Sequence, residues 1–508
     1  MFKSIRNVTI ILLIVKVIGF IKQAVIAAYF GATSATDMYL LVSELVDSLG
    51  EVLFSSISVT FLTIYANLAA NSTDNDKKQF TSNTVIYGIP IATILAVVVF
   101  VFSDFLSKLL APGYDVSELT IVSKYLKILS VGMVAMFVSA LCRAVLDAEK
   151  HFIPSKLEGM IKSVITIVFC VVCGKAFGVD VLIWSILAYY IVTNIYLIVN
   201  VYKKTGFKLL KPSKKDARLK RLIVLSIPLF ISNGSVYLHN IVDKAIGSTL
   251  DAGSISVLSY SNYIINTIHS LIVGSICTVL LSYFSTYVAE KRIKELTDRL
   301  EECVRVVILA MSFIFVIIMV AAQEIITLLY GRGAFDIDDV NITAKVFAIY
   351  GIGLVFIGIR DVLIRTHYAF QKNKTAMING LIGMLANIVL SIWLSRYWGV
   401  YGIAIATVVS YFIIMSISIY TIKEEIEEIN KRSICKLLIQ IIVIIAVIIV
   451  INYLLSFVIN EYHYIAKLCI KGVVVCFIYG LLLYLFKNDE IRKGVDICIG
   501  LVKRNARR

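Results

Sequence analysis

The chain has 508 residues, 59% of them hydrophobic and only 16% charged, with 5 prolines and a mean hydropathy of +0.88. Such a balance excludes a soluble globular domain and marks a polytopic membrane protein. The net charge of +15 raises nucleic acid as a partner, but the cations gather in alternate loops, the pattern that orients membrane helices, and no nucleic-acid role is assigned.

Apolar runs of about 20 residues predict spans near 8–30, 36–66, 82–105, 124–146, 157–177 and 180–202. Eight more follow near 222–247, 256–287, 303–328, 343–370, 377–397, 400–422, 434–457 and 464–486. The expected fold is all-α and polytopic, with about fourteen transmembrane helices. The first run contains Lys16 and Lys22 and no small-residue cleavage pattern, so it is expected to stay as helix one. Segment 203–221 holds nine Lys or Arg and segment 487–508 seven, whereas loops 31–35, 248–255 and 458–463 hold none. Both termini are therefore expected in the cytoplasm. The tail from 490 to 508 carries Ile491, Val495, Cys498, Leu501 and Val502 on one side and many cations elsewhere, as an amphipathic helix on the inner leaflet would. Cysteines such as Cys170 and Cys173 sit inside apolar runs and read as small core residues, not as a metal site or a disulfide.

At an offset of about 220 residues the chain matches itself. LLAPGYD (109–115) meets LLYGRGAFD (328–336), AFGVD (176–180) meets YWGVYG (397–402), and YFGATSATDMY (29–39) meets AIGSTLDAGSISVLSY (245–260). The repeat unit is six helices. This divides the chain into an N-lobe with its basic connecting loop (1–221), a C-lobe (222–422), and an appended helical pair with a basic tail (423–508). Two parallel repeats imply a cavity between lobes and alternating access by rocking.

Charged side chains within spans usually face protein or water, because a charge at the bilayer centre costs about 2.5–3.5 kcal/mol on insertion scales. Lys16 and Lys22 interrupt span one. In span two Asp37, Glu44, Asp47 and Glu51 fall within an arc of roughly 80°. These acids either reach headgroups from the helix ends or line an aqueous cavity, bind a coupling cation or gate the path. Span seven adds Asp243 and Lys244, and Lys244 either snorkels to the surface or binds substrate. Span eight offers Tyr260, Asn262, Tyr263, Asn266 and His269, suited to sugar recognition or to ordinary interhelical contact. Arg360 and Asp361 in span ten read as a structural ion pair. No metal-ligand spacing, phosphate-cradling glycine loop or catalytic constellation occurs, and no enzymatic activity or cofactor is expected.

The stretch GFIKQAVIAAYFGATSATDMY (19–39) resembles the MviN/MurJ family of lipid II flippases, within the multidrug and polysaccharide exporter superfamily. Lys22-Gln23 stand where that family has Arg-Asp, while Phe30-Gly31, Ala35-Thr36-Asp37 and Tyr39 fit. Further matches are Ala111-Pro112-Gly113-Tyr114, Asn240 with Asp243-Lys244, Gly331-Arg332-Gly333-Ala334-Phe335, and Arg365 with Tyr368-Ala369. The resemblance implies two six-helix lobes in a V, with two further helices forming a groove for a polyprenyl tail. It also implies an undecaprenyl-pyrophosphate saccharide as cargo, in a bacterial inner membrane. Cavity arginines on helices one, two and eight hold the pyrophosphate in that family. Lys16 and Lys22 match the pair on helix one, whereas the positions on helix two fall at Gly50 and Glu51 and that on helix eight at Tyr263.

The leading expectation is a monomeric flippase for lipid II or a related lipid-linked saccharide. Lys16, Lys22 and Lys244 would meet the pyrophosphate, and Asn262 and Tyr263 the sugar. Asp37, Glu44, Asp47, Glu51 and Asp243 would serve gating or ion coupling, by Na+, H+ or the membrane potential. A capsule or O-antigen flippase, a cation-coupled drug exporter, and a membrane-embedded glycan polymerase or transferase are the rivals.

Overall fold

Inside lipid every backbone N–H and C=O must be satisfied within the chain, which leaves long apolar runs the helix as their conformation. The computed structural model describes residues 2–213, 216–426, 431–459 and 461–486. The tail expected over 490–508 lies outside them. In chain order come α1 (Phe2–Phe30), α2 (Ser34–Gly50), a π-helical turn (Glu51–Ser55), α3 (Ser56–Asn71), α4 (Asp74–Val101), α5 (Ser103–Leu110), α6 (Val116–Ser130), α7 (Gly132–Ala148) and α8 (Phe152–Lys156). They are followed by α9 (Glu158–Phe177), α10 (Asp180–Thr205), α11 (Ala217–Gly247), α12 (Ser254–Ala289), α13 (Ile293–Leu329), α14 (Ile337–Ala369), α15 (Asn373–Ile422), α16 (Lys431–Ile459) and α17 (Tyr464–Leu485). No strand occurs among the described residues.

Helix starts are written in the sequence. Thr73 with Asp76, and Asp115 with Glu118, form reciprocal capping boxes at α4 and α6. Among the described residues, eleven helices are long and apolar enough to cross a membrane, or twelve if the bent pair α6–α7 is one span. The expected fourteen is not reached on that measure, which takes the 50-residue α15 once and does not include the 31-residue α11. Gly399, at φ 53°, breaks α15.

The repeat offset reappears in the backbone. Gly178 and Gly399 both take positive φ, and so do Lys150 and Gln371. Just after the second pair, the N–H of His151 reaches the carbonyl of Leu146 at 2.7 Å, and that of Lys372 reaches His367 at 2.9 Å. Both are the six-to-one bonds that close a helix C-terminus behind a left-handed residue.

Packing divides the chain into two compact units, one of Met1–Ser259 with Arg332–Asp339, the other of Tyr260–Gly331 with Val340–Arg508. In the first, α9 packs on α1 and α10, while α7 packs on α3, α4 and α10. Its core includes Phe54, Phe61, Phe80, Met133 and Phe137, with Phe61 and Phe80 stacked at 5.0 Å. The connecting segment after α10 is fastened to α4. Leu210 and Ser213 donate backbone N–H groups to Ser82 Oγ and Asn83 Oδ1, both at 2.9 Å, and Gln79 Nε2 donates to Lys211 O at 2.8 Å. Asp216 then accepts from Asn83 Nδ2 at 2.8 Å and from Arg218 Nε at 2.6 Å.

In the second unit, α13 carries both α16 and α17. Non-helical angles at Ala321 interrupt α13, and the carbonyl of Val320 accepts instead from Lys471 Nζ of α17 at 3.0 Å. Lys471 also pairs with Glu324 at 2.6 Å, with both side chains nearly buried. Tyr479 adds a bond to Leu309 O at 3.0 Å.

Two outcomes are expected. Removing one partner of a buried ion pair costs about 3–5 kcal/mol, whereas an apolar replacement of both is often neutral. Lys471→Met should therefore lower the melting temperature in detergent, and Glu324→Leu combined with it should recover most of the loss. At the connecting segment, partial burial alone would raise the Asp216 carboxyl, but hydrogen bonds from Arg218 and Asn83 outweigh it and hold the group below the ordinary carboxylate range. With the folded value depressed, the fastening is complete above about pH 4 and is lost as pH falls through the folded value. Asp216→Ala should mimic that loss at neutral pH, read as faster tryptic cleavage after Lys208.

Candidate functional site

The charged residues of span one are placed by how α1 meets α9. A Cβ at Gly159 would stand 2.9 Å from Val15 Cγ1, and one at Gly174 3.0 Å from Tyr29 Cδ1. These glycines let the two backbones approach, and they fix a parallel register with an offset of about 144 residues. Lys16 and Lys22 are both half-buried, and neither forms an ion pair with a described residue. Lys22 lies in the electrostatic field of Lys162, Asp47 and Cys170.

The acidic face of α2 is answered from separate elements. Glu44 pairs with Lys244 of α11, which is buried and also donates to Leu40 O at 3.0 Å. Lys244 thus turns inward rather than snorkelling; Asp243, beside it, is buried too. Asp47 pairs with Lys162 of α9 at 2.6 Å. Lys162 Nζ stands 5.5 Å from the Tyr189 ring centroid, Tyr189 donates its hydroxyl to Glu158 at 2.6 Å, and Glu158 pairs with Arg143. Glu51 opens the π-helical turn and is exposed. At Gly50 a Cβ would fall 1.8 Å from Met136 Cε, so α7 fills the space a side chain there would need.

Asp37 is engaged differently. It is 2% exposed, and its carboxylate accepts from Gly253 N at 2.7 Å, Ser256 N at 2.6 Å and Ser256 Oγ at 2.5 Å. An acid on the free N–H groups of a helix start is stabilised by both hydrogen bonds and the helix dipole, so Asp37 ties the start of α2 to the start of α12. Around it three loop glycines permit backbone-on-backbone contact. Gly253 (φ 90°) lies against Ala32 O, Gly333 (φ 65°) against Ala28 O, and Gly31 (φ 61°) against Ala334 O, each closer than a Cβ would tolerate. Ala334 N donates to Ala28 O at 2.8 Å and Ala32 N to Asp339 Oδ2 at 3.2 Å. The α1–α2, α11–α12 and α13–α14 loops are thereby knotted together within the first unit.

Asn262 and Tyr263 belong to the second unit. Asn262 Oδ1 accepts from Asn266 Nδ2 at 2.8 Å, and Tyr263 is half-buried. Tyr260 is fully buried with its ring 5.0 Å from that of Tyr330, an interhelical contact. Arg360 pairs with Asp361 at 2.7 Å, and His269 Nε2 lies 3.3 Å from the same carboxylate. No group of metal-ligating side chains occurs among the described residues.

The arrangement offers unpaired cations on α1 beside acids that already hold their own cations. Sequence reasoning located the acids but not Lys162 or Arg143–Glu158 as their neighbours. The one available signal for Lys162 was a lone lysine near the start of an otherwise apolar span.

Many helices long enough to span a bilayer, with charged groups held between them, define a polytopic membrane protein. The family model described as "Lipid II flippase MurJ" matches residues 26–472, and the chain belongs to that family. It is 23% identical over 409 residues to a probable lipid II flippase MurJ of Buchnera aphidicola subsp. Schizaphis graminum, with 80% of each chain covered. Against the probable lipid II flippase MurJ of Thermotoga maritima it is 26% identical over 399 residues, covering 78% of this chain and 80% of the relative. Among solved structures, the fold is similar to a lipid II flippase MurJ in an inward closed conformation, with TM-score 0.81, 23% identity, and 96% and 99% of the two chains covered. It is also similar to an inward-facing multidrug resistance MATE family transporter, with TM-score 0.69, 13% identity, and 81% and 96% covered.

Gly253→Ala is expected to break the loop knot, because the added methyl meets Ala32 O at 2.4 Å. Asp37→Ala, which strands three donors, should act in the same direction. Both should raise the thiol-labelling rate of a cysteine placed at Ala32, while Asp37→Asn should raise it less.

Proposed function

We propose that the chain is a lipid II flippase, carrying an undecaprenyl-diphosphate saccharide from the inner to the outer leaflet of a bacterial cytoplasmic membrane by alternating access. It acts as a transporter, not an enzyme, works as a monomer, and keeps both termini in the cytoplasm. Lys16 and Lys22 hold the diphosphate, Asn262 and Tyr263 meet the sugar, and the knot tied by Asp37 closes one end of the path. Opening is driven by Na+, H+ or the membrane potential, which selective ionophores in proteoliposomes distinguish.

The observation that carries this reading is the pair of α1 lysines. Each lies inside a span without an ion-pair partner among the described residues, where an unpaired charge is expensive. An anionic headgroup supplies the missing counter-charge. Two of the acids that a cation-coupled drug exporter could use, Glu44 and Asp47, hold lysines instead.

The test is lipid II translocation by Lys22→Ala and Lys22→Arg in reconstituted vesicles. Lys22→Ala should lose most of the transport, at least tenfold, since hydrogen bonds to charged groups are worth about 1.5–3 kcal/mol. Lys22→Arg should keep it. Parental rates in both variants would remove Lys22 from the site.

A further inference from the structure

We propose that Lys162 of α9 is a third cation of the diphosphate site, held by Asp47 until the anion arrives. The inference rests on the reading of Lys16 and Lys22 as diphosphate ligands. The register of α1 on α9 sets Lys162 level with residues 17 and 18, between Lys16 and Lys22. All three ammonium-bearing positions thus fall within six residues of helix rise, about 9 Å. Lys162 and Lys22 act on one another electrostatically, and Asp47 acts on both.

Charge balance supports the assignment. Glu44 is matched by Lys244 and Glu158 by Arg143, leaving Lys16, Lys22 and Lys162 against Asp47. Among these four side chains the cations outnumber the acid, which favours an anionic ligand between them. Neighbouring like charges in a poorly screened interior repel strongly, so an anion set between them is favoured beyond what any single lysine provides. The Lys162 side chain keeps 23% and that of Asp47 43% of its exposure, so the pair is open to exchange. Lys162 slides from the Asp47 carboxylate to a phosphate oxygen, and the Tyr189 ring beneath it limits where the ammonium group swings. At position 50 a glycine stands with the Met136 side chain packed over it, so α2 supplies no cation there.

A purely structural Lys162 would serve only to neutralise Asp47, and the two roles separate experimentally. Full-length protein in nanodiscs would be titrated with undecaprenyl diphosphate and with undecaprenyl monophosphate, reading the dissociation constant by native mass spectrometry. Lys162→Gln should weaken diphosphate binding tenfold or more and monophosphate binding less, and Lys162→Arg should restore it. The double variant Lys162→Gln with Asp47→Asn, which cancels both charges, should stay weak. Parental affinity in that double variant, or in Lys162→Gln alone, would overturn the proposal. Lys22→Gln separates the two layers. If it weakens binding while Lys162→Gln does not, the third cation is wrong and the diphosphate site stands; if the parent binds neither probe, both fall.

Discussion

The cost of a charge inside an apolar span shapes the first unit of this protein. Three acids lie along α2, each buried or half-buried between helices. Each of these three has been given its own answer: a helix start for Asp37, Lys244 for Glu44, Lys162 for Asp47. Because every answer comes from a different element, α2 binds α9, α11 and the start of α12 into one body. Removing a single charge would leave its partner stranded, which is dearer than never having placed the pair. The α1 lysines stand outside this system of pairs, and that exception points to a ligand.

The fold was legible where physics leaves little choice. Apolar length dictates helices, so the spans and punctuation of the sequence correspond to helices and turns. The repeat, seen in glycine-rich stretches 220 residues apart, has a conformational cause, since Gly178 and Gly399 both adopt left-handed backbone. The spans expected at 377–397 and 400–422 are the two parts of α15 on either side of Gly399, whose non-helical angles break the helix. Lys471 illustrates what sequence does not convey. Its partner Glu324 is 147 residues away, and its other acceptor, Val320 O, lies beside the break in α13 at Ala321.

The same limit applied to the site. Helical spacing put the acids on one face, but no spacing rule says which helix supplies the opposing cation. Asp37 illustrates a further difficulty, for an acid near a loop suggests headgroups or ion coupling, while its actual partners are backbone N–H groups of residues 253 and 256. Around it, Gly31, Gly253 and Gly333 bring loop backbones closer than any side chain allows. A closure made of main-chain contacts has little sequence signature beyond its glycines, yet it brings together three loops remote along the chain.

Taken together, the first unit combines a glycine-dependent closure with an interior whose paired charges leave cations in excess. In the proposed reading this excess awaits a lipid diphosphate. The most direct measurement is an experimental structure of the full-length protein with undecaprenyl diphosphate bound. The two phosphates are expected within hydrogen-bond distance of the Lys16 and Lys22 ammonium groups. Phosphates bound elsewhere, with both lysines extended to the lipid headgroups, would contradict it.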